Sequence, residues 1–204
     1  MVQHTYSLPI TVVGILSIAF ALLIDGSYRH DYLPAHLARV QTVQKAPAYQ
    51  RTLRFNVYTF TVETPDTGTV GVASIKAWRG QLLLTNFTVR IDGPIAGAEV
   101  ADLDGNRFPE LYIFSQSTGS GSFGRVYGWQ FLPERKANIT PLNWQLSFET
   151  GYMGHDSLWL ERGVLCRQFP RYQPGDANAS PSGGTGMMRY QLRPAGQGFV
   201  LKEL

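Results

Sequence analysis

Thr118-Gly119-Ser120-Gly121-Ser122-Phe123-Gly124-Arg125-Val126-Tyr127-Gly128-Trp129-Gln130-Phe131 is the stretch that separates two folds. Gly119, Gly121 and Gly124 satisfy the G-x-G-x-x-G spacing of a dinucleotide-binding turn, and Leu111-Tyr112-Ile113-Phe114 ahead of it reads as a strand. Such a turn holds a pyrophosphate only where a helix follows at once, because the first helical amides hold the anion. Here Tyr127, Trp129 and Phe131 recur at every second position, which is the period of a strand. The glycines therefore read as a Gly/Ser hairpin loop between two strands, and not as a nucleotide cradle.

Outward from this hairpin the same punctuation continues. Leu53, Phe55, Val57 and Thr59 share one parity, with Asn56, Tyr58 and Phe60 on the other. Residues 68–78, 81–91 and 98–101 are strand-like and bounded by Pro65-Asp66, Arg79-Gly80 and Asp92-Gly93-Pro94. Further candidates are 144–148, 158–161, 164–169, 187–192 and 199–201. Convincing helical periodicity is absent after residue 50. Short strands at roughly ten-residue spacing between turn signals predict an all-β, single antiparallel sandwich or barrel-like domain over residues 51–204.

Composition agrees with a packed β domain. The chain has 204 residues, 44% hydrophobic and 12% aromatic but only 16% charged, which excludes intrinsic disorder. Its net charge of +3 is spread along the sequence, without the cation cluster of a nucleic-acid binder. The lone Cys166 permits no internal disulfide and reads as a half-buried strand thiol.

Residues 8–24, LPITVVGILSIAFALLI, run 17 positions without a charge. They suit a signal-peptide core, with Ala19-Phe20-Ala21 as a small-x-small cleavage pattern, and also a short membrane anchor. No Lys or Arg precedes the segment and the first cation is Arg29, so both readings stand for residues 1–27. Residues 28–50, polar and carrying Pro34 and Pro47, read as a linker.

Three other segments carry reactive side chains. Asp102-Leu103-Asp104-Gly105-Asn106-Arg107-Phe108-Pro109-Glu110 resembles a short calcium loop. Glu110 falls at position nine, not twelve, and Arg107 intrudes, so a tight Asp-Gly turn is the favoured reading and no metal is assigned. Gly151-Tyr152-Met153-Gly154-His155-Asp156-Ser157 brings Ser, His and Asp together, but consecutive side chains do not make a triad. A polar turn is expected there. Residues 175–186 form a second long turn-rich loop containing Gly183 and Gly184. Nothing calls for a cofactor.

The order of these segments resembles the periplasmic inhibitors of invertebrate-type (i-type) lysozyme. The resemblance lies in Ala101-Asp102-Leu103-Asp104-Gly105, Pro109-Glu110-Leu111-Tyr112-Ile113-Phe114, Ser117 to Gly124, and Gly151-Tyr152-Met153-Gly154-His155-Asp156. It continues in Arg167-Gln168-Phe169-Pro170-Arg171-Tyr172, Gly175-Asp176-Ala177-Asn178, Pro181-Ser182-Gly183-Gly184-Thr185 and Tyr190-Gln191-Leu192. Residues 1–50 carry none of it.

The resemblance implies an exported antiparallel β domain, often dimeric, that blocks lysozyme by inserting a Ser-Gly-x-Tyr type loop into the catalytic cleft. Its counterpart here is Ser120-Gly121-Ser122-Phe123, with Phe123 where the family has tyrosine. Ala179-Ser180 stand where family members often carry cysteines. The expected partner-binding loop is thus Ser120, Gly121, Ser122, Phe123, Gly124 and Arg125, seconded by Tyr152, His155, Asp156, Gly183 and Gly184. Expected with it are a lysozyme partner, a homodimer, a periplasmic or otherwise exported location, and membrane contact only through an uncleaved 8–24 segment. The alternative is an envelope-anchored binding or adhesion module on the same scaffold. An enzyme would require Ser122, His155 and Asp156 to be reassembled in space.

Overall fold

The computed structural model describes residues 48–142, 144 and 151–204, and all its regular elements are β-strands. The 1–27 segment, nearly all of the 28–50 linker, and the 144–148 strand candidate beyond Trp144 lie outside the described residues.

Four strands form one sheet in sequence order: β1 (Tyr49–Phe55), β2 (Tyr58–Thr64), β3 (Val70–Arg79) and β4 (Leu82–Asp92). Eight form a second sheet: β5 (Ile95–Ala101), β6 (Glu110–Gln116), β7 (Gly124–Phe131), β8 (Lys136–Pro141), β9 (Ser157–Glu161), β10 (Val164–Pro170), β11 (Thr185–Ala195) and β12 (Gly198–Glu203). Their spatial order is β5-β6-β7-β8-β12-β11-β10-β9. Its two end strands, β5 and β9, approach each other. The second sheet is thereby a nearly closed barrel.

The antiparallel expectation holds for the described strand pairs with one exception. β8 and β12 run parallel, Phe199 opposite Ile139, because the chain returns to β8 only after β9, β10 and β11 have been laid down. β8 lacks a strong alternating apolar signature and is absent from the sequence reading. The 53–60 alternation is broken at Asn56-Val57, where Asn56 takes a φ of 51° in a two-residue hairpin turn. Asparagine tolerates that left-handed conformation. β1 begins at Tyr49, two residues ahead of the expected start at Arg51.

Two cores explain the burial of the central hairpin. Phe60, Val62, Ile75, Ala77 and Ile91 of the four-stranded sheet pack on Leu111, Ile113, Trp129 and Phe131 of the barrel wall. Tyr112, Phe114, Val126, Ile139, Leu165, Tyr190, Leu192 and Leu201 fill the barrel. β6 thus has one face against each core, which is why Leu111-Tyr112-Ile113-Phe114 is a continuous apolar run without a polar alternate. This doubly buried β6–β7 hairpin is the rigid mount of the Ser120 loop.

Candidate functional site

The β6–β7 pairing ends at Gln116 opposite Gly124, and the loop between them closes on itself. Ser117 N–H donates to the Phe123 carbonyl at 2.9 Å, and Phe123 N–H donates to Ser117 Oγ at 2.9 Å. Thr118, Gly119 and Ser120 are exposed, Ser122 and Phe123 half-buried, and Gly121 and Gly124 buried. Ser122 N–H reaches the Gly119 carbonyl at 3.1 Å, and Thr118 Oγ1 lies 3.1 Å from Thr69 Oγ1. A small hydroxyl tip therefore projects from a fastened base.

The 151–156 segment supplies the fastening. His155 N–H donates to the Gly121 carbonyl at 2.5 Å, and Gly124 N–H donates to Asp156 Oδ2 at 2.7 Å. Gly154 has a φ of +96°, and a Cβ there would stand 1.8 Å from the Gly121 oxygen. The Phe123 ring meets Tyr152 edge-on with centroids 5.7 Å apart.

Asp156 is the hub. Its Oδ1 accepts from Arg167 Nε at 2.7 Å, and its Oδ2 accepts from Tyr152 Oη at 2.6 Å as well as from Gly124. Arg167, on β10 with its side chain 1% exposed, also donates to the Trp144 carbonyl and to Tyr152 Oη. Its guanidinium lies 4.4 Å from the Trp144 ring centroid and 4.9 Å from that of Tyr152. Trp144 Nε1 completes the circuit by donating to the Gly124 carbonyl at 2.9 Å. Burial works to lower the Arg167 pKa, but the hydrogen bond and charge of Asp156 outweigh it and the pKa rises. Burial and the Asp156 carboxylate push the Tyr152 phenol up.

The third loop leans on the first two. Tyr172 N–H donates to the Gly151 carbonyl, Gly183 N–H to the Arg171 carbonyl, and Arg171 N–H to the Gly184 carbonyl. Asp176 gathers the loop by accepting from the amides of Gln173 (2.7 Å) and Ser182 (2.8 Å) and from Ser182 Oγ (2.8 Å). Those amides hold its carboxyl below the usual carboxylate range. Asn178 Nδ2 donates to the Ser120 carbonyl at 2.7 Å, and Asn178 Oδ1 lies 3.2 Å from His155 Nε2.

Ser120, Gly121, Ser122, Phe123 and Gly124 fall in one loop, and Tyr152, His155 and Asp156 lie directly beneath it. Gly183 and Gly184 belong to the adjoining loop. Arg125 faces Asp92, Nε to Oδ2 at 3.5 Å, with both side chains half-exposed. Ser122, His155 and Asp156 make no side-chain hydrogen bond to one another among the described residues; both Asp156 oxygens serve Arg167, Tyr152 and Gly124. Sequence reasoning passed over Arg167, Trp144 and Asn178 as site residues. An arginine in the apolar register of 164–169 was the available signal for the first.

The Asp102–Glu110 segment is built as the expected turn, with Gly105 at a φ of +71°. Asp102 Oδ2 accepts from Arg107 N–H at 2.9 Å, Asp104 Oδ1 from Asn106 N–H at 3.2 Å, and Glu110 Oε2 from Leu103 N–H at 2.7 Å. Burial pushes the Glu110 carboxyl up to about 8, opposed by the Leu103 amide and reinforced by the Asp104 charge.

No protein-family model matches the chain, and no curated protein does. A solved structure does match: the crystal structure of PliI-Ah, periplasmic lysozyme inhibitor of I-type lysozyme from Aeromonas hydrophyla. It is 20% identical with a TM-score of 0.41, and the match covers 45% of this chain and 86% of that one.

Proposed function

We propose that this protein is an exported inhibitor that binds an i-type lysozyme and occludes its catalytic cleft with the Ser120-Gly121-Ser122-Phe123 loop. The observation that carries the reading is the pairing of an exposed Thr118-Gly119-Ser120 tip with a base locked by the buried Asp156–Arg167 pair. A preordered loop loses little conformational entropy on entering a groove. Its glycines and serines are narrow enough to enter, and its hydroxyls and amides suit a cleft holding two carboxylates of separated pKa, as a lysozyme cleft does. The ordered segments shared with the inhibitor family support the choice of partner.

The test is an inhibition assay on bacterial cell walls with a panel of i-type and other lysozymes. Micromolar protein should slow the i-type enzyme, and Ser120→Ala should weaken that inhibition by about tenfold, the effect of one lost hydrogen bond. Unimpeded lysis across the panel would reject the reading. Recovery of a different envelope protein on the same loop would then point to the adhesion-type alternative.

A further inference from the structure

We propose that Asp102, Asp104 and Glu110, joined by the side-chain oxygen of Gln130, form a calcium site at the end of the β6–β7 hairpin opposite the Ser120 loop. Each of the three carboxylates offers an oxygen, and these oxygens all lie within 4.8 Å of one another. Glu110 begins β6, and Gln130 sits directly across from it on β7. Both are 0% exposed.

Gln130 Oε1 and Asp102 Oδ1 are both sealed from solvent, and neither meets a hydrogen-bond donor among the described residues. The Gln130 carboxamide lies inside the cluster, its Nε2 reaching Glu110 Oε1 at 2.8 Å and Asp104 Oδ2 at 3.1 Å. A half-turn of the amide exchanges its nitrogen and oxygen with almost no change in shape. The half-turn gives up both donated bonds and sets the oxygen in the nitrogen's place beside Glu110 Oε1 and Asp104 Oδ2, a contact that only a cation held between these oxygens makes favourable.

Buried acceptors without donors are costly, and natural interiors rarely leave them so. One proton on Glu110 would serve only one of these oxygens. A divalent cation serves all of them and offsets the mutual repulsion of three carboxylates. Calcium takes six to eight oxygens at irregular angles, whereas magnesium demands a strict octahedron and keeps most of its water. An all-oxygen set drawn from a turn and two strands suits calcium.

This inference is independent of the lysozyme reading, and its test uses no lysozyme. Full-length protein stripped with a chelator is followed by thermal unfolding as calcium is added, and by terbium luminescence excited through its aromatic residues. Calcium at about a hundred times its dissociation constant should raise the melting temperature by roughly 5–10 °C. Bound terbium should emit, and calcium should quench that emission by displacement. Asp104→Asn and Asp102→Asn should abolish both responses. Asp102→Asn is the safer variant, because an amide oxygen can still accept from Arg107 N–H. No thermal shift and no emission with millimolar ion would overturn the site, as would responses that both variants retain.

Discussion

The Asp156 carboxylate lies 2.7 Å from Arg167 Nε, and both side chains are sealed from water. The pair does more than neutralise charge. Through Asp156 it holds the Gly124 amide and the Tyr152 hydroxyl, and through Arg167 the Trp144 carbonyl. A buried ion pair is often replaceable by apolar side chains of equal volume, but removing one partner strands the other and costs about 3–5 kcal/mol. Arg167→Met should therefore cost stability of that order in urea unfolding. The Asp156→Leu/Arg167→Leu double variant should fail to recover it, since three polar groups would remain orphaned. Recovery of wild-type stability by the double variant would show the network to be dispensable.

Gly154 is one of the positions where the loop base leaves no room for a side chain. Its backbone is left-handed, and an added Cβ would collide with the Gly121 oxygen at 1.8 Å. Left-handed backbone costs a non-glycine residue roughly 1–2 kcal/mol, and the collision displaces the Ser120 loop as well. Gly154→Ala should consequently impair the proposed inhibition more than Ser120→Ala does, while the β signature in circular dichroism persists. Inhibition equal to wild type would show that the loop's geometry does not matter to the proposed role.

Phe123 tests the partner side of the proposal. Its ring packs edge-on against Tyr152 and is half-buried. Edge-to-face aromatic pairs add about 0.5–1.5 kcal/mol beyond burial, so Phe123→Ala should loosen the loop measurably. Phe123→Tyr keeps the ring and adds a hydroxyl. A tighter inhibition constant, by about tenfold, is the expected gain for one added hydrogen bond. An unchanged constant would show that this ring serves the fold and leaves the partner untouched.

The hairpin 111–131 was legible because its two-residue period and flanking glycines are local signals. β8 was not, since Lys136-Ala137-Asn138-Ile139 offers only two buried side chains, and its parallel partner β12 lies about sixty residues further along. Asn56-Val57 hid a hairpin turn inside a clean alternation, because asparagine takes the left-handed turn without a glycine to announce it. The 117–124 loop was readable as a turn from its small-residue composition. Arg167 was not, because a strand's pattern cannot say that an arginine inside an apolar register has a carboxylate waiting eleven residues upstream.

Cys166 has its thiol held up by burial, with the Glu161 charge adding and Arg189 opposing. Since only the thiolate is nucleophilic, a buried thiol with a raised pKa reacts slowly. The native protein should label with a thiol reagent markedly more slowly than the urea-unfolded chain. Equal rates would mean that the β9–β10 edge opens freely, in conflict with the burial of Cys166 beside Trp159.

Asp176 gives the clearest pH dependence at the candidate site. Its folded pKa is depressed below the ordinary 3.8 by the amides of Gln173 and Ser182 and the Ser182 hydroxyl. A depressed carboxyl stabilises the fold above its unfolded pKa, and that contribution disappears as pH falls through the lower, folded value. The 171–184 loop should therefore keep its form at pH 5 and loosen only in strong acid. The Gln173 and Ser182 amide resonances, followed by NMR, should titrate together with a midpoint below 3.8. Asp176→Asn keeps acceptor oxygen but removes the charge, and should abolish that titration. Because Asn178 of the same loop holds the Ser120 carbonyl, the Ser120 amide should move in the same pH window. A titration confined to Gln173 and Ser182, with Ser120 unmoved, would show that the third loop does not support the first.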